Sequence, residues 1–331
     1  MIRKHLLIIY FSLIITPVLA IDAETGARQA AKGDYKTAYK TWKDSAEAGD
    51  PMSQFYLGVL YEKGNGVEQE YSQALFWYIK AAGQGIARAH YNIGHMFFNG
   101  RGVSQDYKEA ERQFKVAAES GYAPAEYNLA YILEKGLTGE KKPTEAFTWY
   151  LKAAKSDLRT AQARVGQLYE QGRGVAKDRE KAIHWYEKVA YNDPAARISL
   201  AKLYLDEPTQ IEDGLRLLRA GAENGERLSQ YQLGYVYGQG EKVKQDYELA
   251  VFWYKRAARQ QVADAQYLLC LSYSLGRGVP SDVVIAHVWC EAAVQNKAEG
   301  AEEVLKTIRE SMSSKQRSAA VKLAPMLNSS L

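Results

Sequence analysis

The chain has 331 residues with 43 basic and 39 acidic side chains, a formal charge of +4. It is too long for one compact core of ordinary size and too evenly charged for a dedicated nucleic-acid binder. A hydrophobic share of 47% with 11% aromatic residues excludes a disordered chain, and two cysteines exclude a disulfide-rich scaffold.

Residues 1–20 read as a secretory signal peptide. Arg3 and Lys4 precede a nearly unbroken apolar stretch from Leu6 to Ile15, and Val18-Leu19-Ala20 supplies the small residues of a cleavage site after Ala20. An uncleaved anchor ranks second, because the apolar run is short of the roughly 20 residues a span needs and Pro17 interrupts it. The expected product is a soluble monomer, periplasmic or secreted, with no transmembrane segment after the signal is removed.

From there on, one pattern recurs. All six tryptophans, Trp42, Trp77, Trp149, Trp185, Trp253 and Trp289, stand one or two periods of about 36 residues apart. Gln113 and Leu217 occupy the two vacant positions. A series of mostly small residues, Gly58, Gly94, Ala130, Gly166, Ala201, Gly234 and Cys270, runs in phase, usually with an aromatic three residues later. Each period predicts two helices. The first ends at a glycine of a Gly-x-Gly-Val loop, as at Gly100 or Gly172, where a left-handed residue closes the helix. An acidic residue then caps the second helix, at Glu70, Asp106, Asp178, Asp246 and Asp282. Small residues at fixed phase on both helices predict close backbone crossing, with the indoles, Trp185 among them, buried between.

A hairpin of this kind cannot bury its apolar face alone and must stack on a neighbour. The expected fold is all-α, an α/α solenoid (superhelix) of about eight helix-turn-helix repeats. A capping repeat at 21–49 has only its second helix typical, seven repeats cover 50–296, and capping helices cover 297–331.

The Gly-x-Gly-Val-x-x-Asp-Tyr loop followed by Ala-x-x-Trp-Tyr-x-Lys-Ala-Ala resembles the Sel-1-like repeat (SLR) family, relatives of the tetratricopeptide repeats. Gly102 to Ala118, Gly174 to Ala190 and Val243 to Ala258 carry it most fully. The resemblance implies a non-enzymatic, secreted or periplasmic bacterial adaptor whose concave surface holds another polypeptide. The copy around 201–214 departs from it: Asp206-Glu207-Pro208-Thr209-Gln210 replaces the glycine loop, so a bend or a partner-specific epitope is expected at 191–214.

No catalytic, cofactor or metal motif survives inspection. The Gly-x-Gly loops follow helices and lack the third glycine of a dinucleotide site. Ser199-Leu200-Ala201-Lys202 matches a Ser-x-x-Lys pattern, and cysteine-rich members of the resembling family act on β-lactams, but the companion motifs are missing. A weak β-lactam-binding or cell-wall hydrolase is therefore the alternative reading, with envelope glycan binding as a third. Cys270 and Cys290 share one hairpin, and the spacing leaves open whether they are bonded.

Charge is sparse on the first helices, which line the concave side in related repeat folds. Tyr91, Tyr127, Tyr231 and Tyr267 recur and are assigned to packing between repeats. His95, Tyr131, Gln167 and Tyr235, just after the small-residue slot, vary between copies; with Asn92 and Asn128 they form the expected partner-binding face. The expected partner is a protein or peptide.

Overall fold

The computed structural model describes residues 16–328, within which 18 α-helices and one short 3-10 turn occur and no strand. The apolar core of the signal lies outside the described residues, and the cut expected after Ala20 falls inside the first helix. The chain divides into two compact units, one ending at Lys177 and the other starting at Asp178.

In the first unit the helices are α1 (Thr16–Ala31), α2 (Tyr35–Glu47), α3 (Pro51–Lys63), α4 (Tyr71–Ala82), α5 (Ala87–Asn99), α6 (Tyr107–Glu119), α7 (Ala123–Lys135), α8 (Pro143–Lys155) and α9 (Arg159–Gln171). α1 to α8 pair into hairpins, and each hairpin packs on the next. The atypical first helix of the leading repeat packs on its second: Trp42 Nε1 of α2 donates to the Ala23 carbonyl of α1 at 3.0 Å, and the indole lies where a Cβ on Gly26 would be.

The second unit holds α10 (Arg179–Glu187), α11 (Pro194–Leu205), α12 (Ile211–Glu223), α13 (Arg227–Gln239), α14 (Tyr247–Arg259), α15 (Ala263–Leu275), α16 (Val283–Gln295), α17 (Ala301–Ser311) and α18 (Ser314–Asn328). α17 and α18 both pack on α16, burying Leu305, Ile308 and Ala320 with Trp289. The 3-10 turn Pro208–Gln210 stands in the divergent repeat, where α11 ends at Asp206 in right-handed backbone instead of at a left-handed glycine.

The loop glycines and acids named from the sequence follow the expected chemistry, with Glu70 the exception. Gly100 and Gly172 close their helices at φ of 67° and 69°, which L side chains resist. Asp106, Asp178, Asp246 and Asp282 each accept from backbone N–H groups of the following helix. Glu70 does not: its longer side chain reaches the Ser72 hydroxyl at 2.8 Å instead.

The close crossings are built as glycine against ring. A Cβ on Gly58 would sit 2.5 Å from Tyr78, and one on Gly94 2.7 Å from Phe114. Four indoles are buried as expected, Trp42, Trp77, Trp253 and Trp289, but Trp149 and Trp185 are only half-buried, and on those two helices the following residue, Tyr150 or Tyr186, is the deep one. Indoles at the margin are covered by cations instead, Lys152 standing 3.8 Å above the Trp149 ring and Lys188 5.6 Å above Trp185. Cys270 and Cys290 are joined in a disulfide.

Candidate functional site

First helices carry one side-chain pattern in both units. In the first unit α5, α7 and α9 present Asn92 and His95, Asn128 and Tyr131, and Gln167. The Asn128 amide meets His95 Nε2 at 2.9 Å, tying α7 to α5. Tyr91 packs edge-on against the same imidazole at 4.7 Å. Burial holds the His95 imidazole below its ordinary pKa, with Arg101 adding to the effect and Glu62 opposing it. His95 is thereby kept neutral, the form that accepts from Asn128.

Two acids that sequence reasoning missed, half-buried Glu62 and buried Glu134, anchor this network. Tyr78 donates to Glu62 at 2.7 Å, with the Asn92 amide against the same hydroxyl. Tyr150 donates to Glu134 at 3.1 Å, and Glu134 also pairs with Arg164 and, at 3.1 Å, with Arg173. Arg164 in turn donates to Gln167. Burial pushes the Glu134 carboxyl up, but Arg164, Tyr150 and Arg173 outweigh it and hold the group below the usual range. A signal was present: glutamate stands sixteen residues before each of Tyr78 and Tyr150, and Phe98 sixteen before Phe114, which has no hydroxyl to satisfy.

Of the six residues assigned to the partner face, Asn92, His95, Asn128 and Gln167 are therefore engaged within the protein. Tyr131 is 37% exposed, its ring edge-on to Phe98 and beneath Lys135.

In the second unit Tyr235 holds the register position of Tyr131 and is 41% exposed. With Tyr231, Gln232, Lys202 and the Lys242–Asp206 ion pair (3.2 Å) it lines a cavity of about 400 Å³ between α11 and α13. Burial, followed by Asp264 and Tyr235, pushes the Tyr231 phenol up to about 12, so it remains a neutral donor at physiological pH. Lys202 is exposed and Ser199 half-buried on α11. No group of three His, Cys, Asp or Glu side chains able to hold a metal occurs among the described residues, and none of the helices there is long and apolar enough to cross a membrane.

Stacked helical hairpins with a recurring Gly-x-Gly-Val loop define an all-α repeat protein of the α/α solenoid class. Residues 51–86, 87–122, 123–158, 160–193, 227–262 and 263–297 match the Sel1 repeat family model, passing over the divergent copy at 194–226. The chain belongs to the Sel1 repeat family, whose members are generally protein-interaction scaffolds without catalytic activity. It is similar to the crystal structure of a protective antigen of uropathogenic Escherichia coli with an SLR fold (32% identity, TM-score 0.79, covering 93% of this chain and 68% of that one). A Sel1 repeat protein from Oxalobacter formigenes matches at 28% identity and TM-score 0.64, over 88% of this chain and 93% of that one. A chitin synthase regulator of Saccharomyces cerevisiae is 41% identical over 58 residues, so this chain matches 18% of its own length and spans 8% of the regulator's.

Proposed function

We propose that this protein is a monomeric, non-catalytic adaptor of the bacterial envelope or the secreted space, holding a polypeptide on its first-helix face. One observation carries the reading: Tyr131 and Tyr235, in separate units, leave large rings exposed at the same repeat position of their first helices. Rings with few rotatable bonds and a polar tip are efficient contact residues, and each marks a contact point on the first-helix face of its own unit. The leader at residues 1–20 supports export, and the Cys270–Cys290 bond suits an oxidising compartment. The Escherichia coli relative is described as a protective antigen, which is compatible with an exported protein.

The test is affinity capture from the native envelope with the mature chain, followed by binding measurements on the captured partner. Tyr131→Ala with Tyr235→Ala should weaken binding by about tenfold or more while leaving helicity intact. Unchanged affinity in a folded double variant would sink the assignment of this face. Amino-terminal sequencing of the exported protein should begin at Ile21.

A further inference from the structure

The repeat that lacks its tryptophan contains the vacancy that the indole would fill. In the second unit Trp253 is buried in one cluster with Ala222 and Leu233, with Tyr237 packed against that cluster. One repeat earlier the same three positions are Ala190, Leu200 and Tyr204, and the slot holds Leu217. These four residues line a cavity of about 630 Å³ between α10, α11 and α12. Leucine is too small to replace an indole, and the neighbouring helices have not closed over the difference.

A second departure coincides with the first. In three other copies an amide seven residues after the slot bridges to the preceding first helix: Gln84 to Gln54 at 2.8 Å, Gln260 to Gln230 at 2.9 Å and Asn296 to Gln266 at 2.9 Å. In the divergent copy Arg197 replaces that glutamine and pairs with Glu226. The Asn224 amide, at the cavity rim, is thus left without the bridge its counterparts make. The cation is also missing: Lys80, Lys152, Lys188 and Arg256 stand over their indoles three residues after the slot, where this copy has the exposed Ala220.

We propose that this vacant seat binds an aromatic side chain carried by a partner polypeptide, the ring entering over Leu217 and the peptide amide meeting Asn224. The volume falls in the range of small-ligand sites, and the seat lacks the ring that Trp253 supplies one repeat later. The site is on other helices than Tyr131 and lies apart from the tyrosine cavity between α11 and α13. It therefore stands independently of the partner face proposed above.

The test uses the full mature chain and N-acetyl-tryptophanamide, followed by calorimetry and ligand-observed NMR. Binding should be saturable and retained in the Tyr131→Ala, Tyr235→Ala variant. Leu217→Trp should abolish it while holding or raising the melting temperature, because the protein's own ring then takes the seat. Ala220→Lys, at an exposed position that cannot disturb folding, should tighten binding about two- to fivefold by restoring the cation. Absence of binding to the wild-type chain, equal binding of N-acetyl-leucinamide, or unchanged binding in folded Leu217→Trp would each overturn the proposal. So would 3-methylindole binding as tightly as the amide, which would mark the seat as one for free small aromatics.

Discussion

Cys270 and Cys290 are bonded across the pair of positions at which, one repeat earlier, the backbone of Gly234 meets the ring of Tyr254. Their Cα atoms are 5.1 Å apart and their sequence separation of 20 is that between Gly58 and Tyr78 and between Gly94 and Phe114. Two solutions to one crossing therefore coexist in the chain. A ring fills the space against Gly58, Gly94 and Gly234; a covalent bond spans it between Cys270 and Cys290.

The two solutions should be interchangeable. Reducing the bond is expected to destabilise the second unit by about 3 kcal/mol, the loop-closure value for a link of this span. Cys270→Gly with Cys290→Tyr should recover most of that loss under reducing conditions, read from urea melts with and without dithiothreitol. A double variant no more stable than the reduced wild type would show that the crossing at this repeat differs from the others.

Depth of burial separates the aromatic pair of α10. Tyr186 is nearly sealed and should cost about 3–5 kcal/mol on truncation to alanine, whereas half-buried Trp185 should cost about 1–2. Thermal melts of Tyr186→Ala and Trp185→Ala decide it. Equal losses would restore the indole to the role its conservation of phase first suggested.

That misassignment marks the limit of what the residues alone made legible. The indoles and the small-residue series share one period, which is enough to place helices, loops and crossings, because a solenoid repeats its packing with its sequence. Periodicity does not distinguish adjacent apolar residues, so Trp185 and Tyr186 read alike until the structure shows that Tyr186 is the deeper of the two. The candidate face was partly legible for the same reason. Tyr131 and Tyr235 stand out as copy-specific rings, but the hydrogen bonds that occupy His95 and Asn128 link different repeats and leave no local pattern. The vacant seat at Leu217 was visible as a missing letter and became a cavity only once the surrounding helices were in place.

Glu126 occupies a slot that holds glutamine in four other repeats. Gln54, Gln162, Gln230 and Gln266 each donate a side-chain amide to the carbonyl of the alanine eight residues earlier, at 3.0–3.2 Å. A carboxylate has no proton to donate to Ala118, and Glu126 Oε2 is buried without a hydrogen-bond partner. Burial pushes the Glu126 carboxyl above the usual range, with Lys152 opposing. A raised native pKa means stability that is complete below about pH 4.5 and lost as pH rises through the native value. Glu126→Gln should therefore stabilise the protein by about 1–2 kcal/mol at neutral pH, with the advantage shrinking towards pH 4. Paired urea melts across that range check it, and an advantage independent of pH would refute the ionisation argument.

Glu134, eight residues further along α7, should behave with the opposite sign. It is equally buried but accepts from Tyr150 and pairs with Arg164 and Arg173, which hold its carboxyl below the usual range against the effect of burial. A depressed native pKa contributes stability that is present above about pH 4.5 and lost as pH falls through the native value. Glu134→Gln should then cost about 2–3 kcal/mol at pH 7, since it leaves the Arg164 guanidinium without its anion, and progressively less on acidification. The difference between wild type and variant, followed by urea melts from pH 7 to pH 3, gives the slope directly. A gap that stayed constant or widened towards acid would mean that the carboxylate is held by shape and not by its charge partners.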